Sequence, residues 1–254
     1  MNKIEVKVFH QSHGSPASMM TFLAKLTQRG HNIKTYEDLR ELYDVTCEEP
    51  IYNLVDLPHG TIKRFTPITI AIVGASRRFL TQVRTHQVGF NFISASLQYS
   101  DYSNEADFMV PYSVAANNMV DEYLSACKTI MNEYDMLAIV TDNDTAGYLA
   151  PHALRNIVII QANHEAWMYF IKLRACNRNT EEMQYIALRV WDELLNNTED
   201  GKEMFKWAGP ECLWSKCKEG KMACDMPLNQ IVASPKIIID ERWPRLNDIY
   251  TRRS

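Results

Sequence analysis

The chain has 254 residues, 46% hydrophobic and 23% charged, with 27 Lys and Arg against 31 Asp and Glu for a net charge of −4. This composition excludes a mostly disordered chain and a collagen-like repeat, and the lack of a basic surplus argues against a nucleic-acid or anionic-membrane binder. No run of ~18 apolar residues is present, so no membrane span is expected.

The first residues, MNKIEVKVFHQSHGSP, lack the apolar core of a signal peptide. Six cysteines are too sparse for a disulfide scaffold, which points to a reduced, cytoplasmic protein. The length suits one elaborated domain over 1–254.

Lys3 to Phe9 (KIEVKVF) alternate charged and apolar side chains, the period of a half-buried strand. Pro16 to Leu26 has helical spacing of Met19, Met20, Phe22, Leu23 and Leu26, with Gly30 as a stop. Residues 36–44 suit a second helix. Thr66 to Val73 (TPITIAIV) is rich in β-branched residues and reads as a strand ended by Gly74. Ala75 to Arg84 spaces Phe79, Leu80 and Val83 for a helix that Ser76 can cap.

Val110-Pro111 opens a long helix with a stripe of Val120, Tyr123, Leu124, Cys127, Ile130, Met131 and Tyr134. Thr141 to Gly147 reads as a turn-rich loop and Leu154 to Ile160 as a strand. Asn163 to Leu173 and Glu181 to Leu195 read as helices, and 196–254 as a loop-like tail. There Cys212, Cys217 and Cys224 supply too few ligands for a structural zinc site, so they read as a tail packing on the body, with no metal. Strands interleaved with helices give one α/β or α+β domain, a central sheet flanked by helices.

The most informative stretch is 76–100, SRRFLTQVRTHQVGFNFISASLQYS: a basic helix running into a hydroxyl- and aromatic-rich segment. Arginines beside hydroxyls suit a phosphate or carboxylate.

This stretch resembles the signature of the flavin-dependent thymidylate synthase (ThyX) family, Arg-His-Arg, a linker, then Ser-x-Arg-Tyr. Ser76-Arg77 and Gln82 fall in the upstream places. Thr85-His86-Gln87 stands where Arg-His-Arg would be, and Ser96-Leu97-Gln98-Tyr99 where Ser-x-Arg-Tyr would be. His59-Gly60-Thr61 is similar to the family's His-x-Ser/Thr loop, AGYLAP at 146–151 to its Ala-Arg-x-x-Leu-Pro, and NHEAWMYFIKLR at 163–174 to its Asn-x-Arg helix. The resemblance covers roughly 50–225, with 1–50 matching weakly.

The resemblance implies a ThyX-like homotetramer with active sites at subunit interfaces. It implies FAD as cofactor, methylenetetrahydrofolate and NADPH as co-substrates, and C5 methylation of a pyrimidine nucleotide, dUMP to dTMP. Carried over residue by residue, Ser96 is the catalytic residue, and Gln82, Ser96, Gln98, Tyr99 and Arg174 bind the nucleotide. His59, Thr61, Thr85, His86, Gln87 and Asn163 bind the flavin.

Five family arginines are replaced, by Thr85, Gln87, Gln98, Gly147 and Glu165. Each bidentate phosphate contact contributes ~1.5–3 kcal/mol, so FAD binding is expected to be weakened or lost unless other cations compensate. Two alternatives follow: the same scaffold acting on a different pyrimidine nucleotide, for example by hydroxymethylation, or a non-catalytic paralogue in a hetero-oligomer with a true synthase subunit.

Overall fold

The computed structural model describes residues 4–11, 15–102, 106–224 and 234–244. At its centre lie four strands, β1 (Glu5–Gln11), β2 (Pro67–Ser76), β3 (Phe90–Ser94) and β4 (Arg155–Asn163), in the order β1-β2-β4-β3. Every pairing is antiparallel, so the architecture is α+β. The helices are α1 (Pro16–Arg29), α2 (Tyr36–Glu48), α3 (Gly60–Lys63), α4 (Arg77–Val83), α5 (Tyr112–Ala116), α6 (Val120–Val140), α7 (Asn143–Ala146), α8 (His164–Arg174), α9 (Glu181–Asn196), α10 (Gly201–Met204) and α11 (Pro235–Arg242). None is long and apolar enough to cross a membrane.

Strand periodicity builds the core. Ile68, Ile70 and Ile72 of β2 and Val158, Ile160 and Ala162 of β4 all turn inward. They join one apolar cluster with Trp167, Phe170 and Ile171 of α8. The same cluster takes Met183, Ile186, Ala187, Val190 and Leu194, the helical stripe of α9. Each Val, Leu, Ile, Phe or Met among them, fully buried, contributes ~1.5–3 kcal/mol over its exposed state. A second cluster forms where Cys127, Met131 and Tyr134 of α6 meet Phe108, Ala146 and Leu154.

Local capping places the ends. The Ser76 hydroxyl accepts from Phe79 N at the start of α4, and the Asn163 side chain accepts from Ala166 N at the start of α8.

Four expectations are corrected. Gly74 does not end its strand: β2 runs on to Ser76 through a bulge, with Gly74 at φ +83°. A Cβ there would collide with the Arg155 guanidinium, which is ion-paired with Asp107 at 3.2 Å. The long helix after Pro111 is broken at Asn118, which sits at φ +57° between α5 and α6, and Ile130 of the expected stripe is exposed. The loop at 141–147 contains α7, because the Asp142 side chain accepts from Thr145 N and caps a helical turn. The tail is not loop throughout: α10 and α11 lie in it, with Ile238 and Ile239 buried. Cys212 is buried and Cys217 packs against the same core, so this part of the tail does sit on the body.

Candidate active site

Helix α4 is anchored to α9 through its N-cap residue, Ser76. Ser76 donates through both its backbone N–H and its hydroxyl to the Glu182 carboxylate, whose burial pushes its carboxyl up. That bond fixes where the signature segment begins. At the other end of α4, His86 is buried against Phe90 and Phe170, with Tyr169 at its edge. Arg174, the last residue of α8, reaches this ring. Its Nε donates to His86 Nε2 at 2.8 Å, its Nη2 to Thr85 Oγ1 at 3.1 Å and its Nη1 to Asn179 Oδ1 at 3.1 Å.

All three acceptors are neutral. Because His86 Nε2 accepts, the ring proton sits on Nδ1. Burial, and then the Arg174 charge, push His86 down to about 4, so it is uncharged at neutral pH. Asn179 is in turn locked by donating from Nδ2 to the Leu173 and Cys176 carbonyls.

A second group lies along α4 and β3. Thr180 Oγ1 donates to Gln82 Oε1 at 3.0 Å, which orients the Gln82 amide and leaves its nitrogen without a partner among the described residues. Arg84 Nη2 donates to Ser94 Oγ at 2.6 Å. Arg77 is half-buried, and burial together with the charge of Arg84 lowers its pKa, Tyr102 opposing. Among the described residues no carboxylate ion-pairs with Arg77, Arg84 or Arg174.

Beyond β3, the Asn156 side chain of β4 donates to Ala95 O at 3.1 Å and ties down the segment carrying Ser96. Ser96 Oγ accepts from Gln98 N at 3.1 Å. Gln87, Gln98 and Tyr99 are exposed. Gly147 backs onto this segment, where a Cβ would lie 3.3 Å from that of Leu97.

The third group surrounds the start of α8. Gly89, at φ +78°, lies so close that a Cβ would stand 3.2 Å from Asn163 Nδ2. His59 and Thr61 are exposed at the start of α3. Gly60, between them, lies against the Glu165 carboxylate, which accepts from Arg64 Nε at 2.6 Å.

Of the residues singled out in the sequence, Thr85, His86 and Arg174 thus form one hydrogen-bonded unit. Asn163 meets the linker at Gly89, and His59 and Thr61 flank the contact with Glu165. Ser96, Gln98 and Tyr99 stand on a separate segment tied to β4. Asn179, Thr180 and Glu182 were not foreseen, whereas arginines beside hydroxyls were, and Arg84 with Ser94 is such a pair. The polar run Asn177-Arg178-Asn179-Thr180 directly after Arg174 was the available signal.

A family model for thymidylate synthase complementing proteins matches residues 7–197. The chain is 26% identical over 197 residues to the flavin-dependent thymidylate synthase of Thermococcus onnurineus, covering 73% of this chain and 78% of that protein. It is 25% identical over 214 residues to that of Geobacter sulfurreducens, covering 82% and 89%. Among solved structures it is similar to Helicobacter pylori ThyX with FAD and dUMP, at a TM-score of 0.58 and 16% identity, covering 80% of this chain and 98% of that one. It is also similar to the UMP/dUMP methylase PolB of Streptomyces cacaoi bound with 5-Br dUMP, at a TM-score of 0.58 and 14% identity, covering 82% and 97%.

Proposed function

This chain belongs to the thymidylate synthase complementing protein family, and from that premise we propose that it is a flavin-dependent enzyme methylating dUMP at C5 to dTMP, with methylenetetrahydrofolate and NADPH as co-substrates. One observation carries the reading. Arg84 and Arg174 stand beside the signature segment on neutral partners, and no carboxylate among the described residues ion-pairs with either of them or with Arg77. Uncompensated guanidinium groups, one half-buried and beside another, favour an anion such as a nucleotide phosphate. They offer cations in place of the signature arginines that this chain lacks.

The residues also fit a flavin. Asn163 Nδ2, Thr61 and Gln87 provide neutral donors at the start of α8, on α3 and after α4. The Glu165 charge, which would repel a diphosphate, is met by Arg64. When bound, the flavin supplies the reducing equivalents that turn a methylene into a methyl group.

The chain's own groups bind and orient. Ser96 accepts from Gln98 N and so keeps its own proton to donate to the pyrimidine edge. Gln82, with its oxygen engaged by Thr180, presents N–H donors that suit a uracil carbonyl and not the amino group of cytosine. Neutral His86 is no general acid at pH 7; it holds the Arg174 guanidinium in place.

The assembly we propose is a homotetramer. The outer sheet face exposes Val73, Ile93 and Ile157, and the end of α6 exposes Met136, Ile139 and Val140, apolar surface that suits partner chains.

Calorimetric titration with dUMP and dCMP tests the substrate assignment. Saturable dUMP binding with much weaker dCMP binding is expected; equal binding of the two would contradict the role given to Gln82.

A further inference from the structure

The tail meets the end of α8 at two places. Lys172 of α8 pairs with Glu211, which also takes Lys218 at 2.7 Å. Further along, Asn177 Nδ2 donates to Cys224 Sγ at 3.9 Å. Asn177 follows Cys176, so this contact brings Cys224 to the turn that carries Cys176. None of the six cysteines is in a disulfide, and Cys176 and Cys224 are both half-buried. Burial pushes the Cys176 thiol up, the Arg178 N–H at its sulfur opposes, and the charges of Cys212, Cys224 and Glu219 reach it. Cys176 therefore has two other thiols close by. Among the described residues no group of three or more His, Cys, Asp or Glu side chains is placed to hold a metal ion, so the chemistry on offer is between two thiols. Cys212 is buried in the main apolar cluster and Cys224 is not, which makes Cys224 the partner that an oxidant in water reaches.

The turn is also joined to Arg174. Gln184 of α9, fully buried, holds it by donating to Ala175 O at 3.1 Å and to Asn177 Oδ1 at 2.6 Å. The Cys176 carbonyl accepts from Asn179 Nδ2 at 3.2 Å, and Asn179 Oδ1 in turn accepts from Arg174 Nη1. A shift of Cys176 thus reaches the Arg174 guanidinium through one residue.

We propose that Cys176 and Cys224 form a reversible disulfide, a redox-sensitive clasp between the tail and the turn after α8. The oxidant is a small-molecule disulfide of the glutathione type. The Cys224 thiolate attacks it, forming a mixed disulfide and expelling one glutathione thiolate. Cys176 then gives up its proton, attacks the Cys224 sulfur and expels the second. Two protein thiols become one disulfide, and one glutathione disulfide becomes two thiols. The bond is open in this structure, so closing it draws Cys176 toward the tail and loosens the Asn179 support of Arg174.

Peptide mapping tests the clasp. Trypsin separates the cysteines concerned, leaving Cys176 on 175–178, Cys212 on 207–216, Cys217 on 217–218 and Cys224 on 222–236. The full chain, treated with millimolar oxidised glutathione, alkylated and digested without reductant, should yield 175–178 joined to 222–236, two hydrogens lighter than their sum. Dithiothreitol should remove the link, and Cys224→Ser, a near-isosteric change at a half-buried position, should never form it. Oxidised wild type should bind dUMP ~2- to 10-fold more weakly, the worth of one neutral hydrogen bond, and Cys224→Ser should not respond. That second readout rests on the function proposed above and the map does not. A reduced chain indifferent to dUMP would therefore sink that function and leave the map to decide the clasp. Cys176 joined to another cysteine, glutathione adducts alone, zinc held by the reduced chain in a native mass spectrum, or unchanged dUMP affinity in the fully crosslinked chain would each overturn the proposal.

Discussion

The Nε of Arg174 donates to Nε2 of His86 at 2.8 Å, joining the end of α8 to the end of α4 across 88 positions of sequence. A charged donor on an uncharged ring leaves the guanidinium charge unspent, and the histidine becomes a support rather than a proton donor.

This relationship sets a pH dependence. His86 and His164 are both held down to about 4, each mainly by burial, against an unfolded value of 6.5. In that interval the unfolded chain binds more protons than the folded one, so stability falls as pH falls. The contribution is complete above pH 6.5 and lost as pH drops through about 4. Thermal melts from pH 7 downward should show this slope. His86→Gln, which keeps an acceptor but does not titrate, should reduce the slope and leave the part His164 contributes; an unchanged slope would contradict the buried neutral His86.

Removing the unspent charge should weaken nucleotide binding. Arg174→Gln is expected to raise the dUMP dissociation constant by ~10- to 150-fold, one charge-assisted contact of ~1.5–3 kcal/mol. Asn179→Ala, which loosens only one of the guanidinium's three supports, should have a smaller effect in the same direction. Calorimetric titration of both variants checks the order.

Glu165 and Arg64 make a further prediction. With Glu165→Gln the Arg64 guanidinium loses its carboxylate partner and becomes available to a diphosphate. FAD affinity should rise, and Glu165→Arg with Gln87→Arg should raise it further, by ~1–3 kcal/mol for each new contact. Flavin fluorescence titration reads both. Tight wild-type binding, unimproved by either change, would show that other residues already hold the phosphates.

How far the sequence carried these conclusions depended on the range of the interaction. Ser76 and Asn163 could be read as helix caps because each bonds a backbone N–H three residues on. The strands at β2 and β4 announced themselves through β-branched residues. Gly74 misled because glycine is as apt for a bulge as for a strand end, and Arg155, which decides the matter, is far along the chain. The break at Asn118 and the short α7 were hidden because each rests on a single residue's backbone or side chain. The motif marked the signature segment as the candidate site. It did not reveal that Arg174 leans on His86 or that Thr180 orients Gln82, since spacing says nothing about which distant residues meet.

The bulge gives a stability prediction. Gly74 combines a positive φ with close approach of the Arg155 guanidinium. Gly74→Ala should therefore destabilise the fold by ~1–3 kcal/mol through strain and displacement of that side chain. The midpoint of urea unfolding measures it, and an unchanged midpoint would contradict the packing described.

The most direct measurement is a product assay. Purified protein with FAD, NADPH, methylenetetrahydrofolate and dUMP should yield a nucleotide heavier by one methyl substitution and co-eluting with dTMP, by liquid chromatography with mass detection. Ser96→Ala should reduce the yield sharply while the variant still binds dUMP. Wild-type protein that binds both FAD and dUMP yet forms no dTMP would contradict the assignment of methylation to this site.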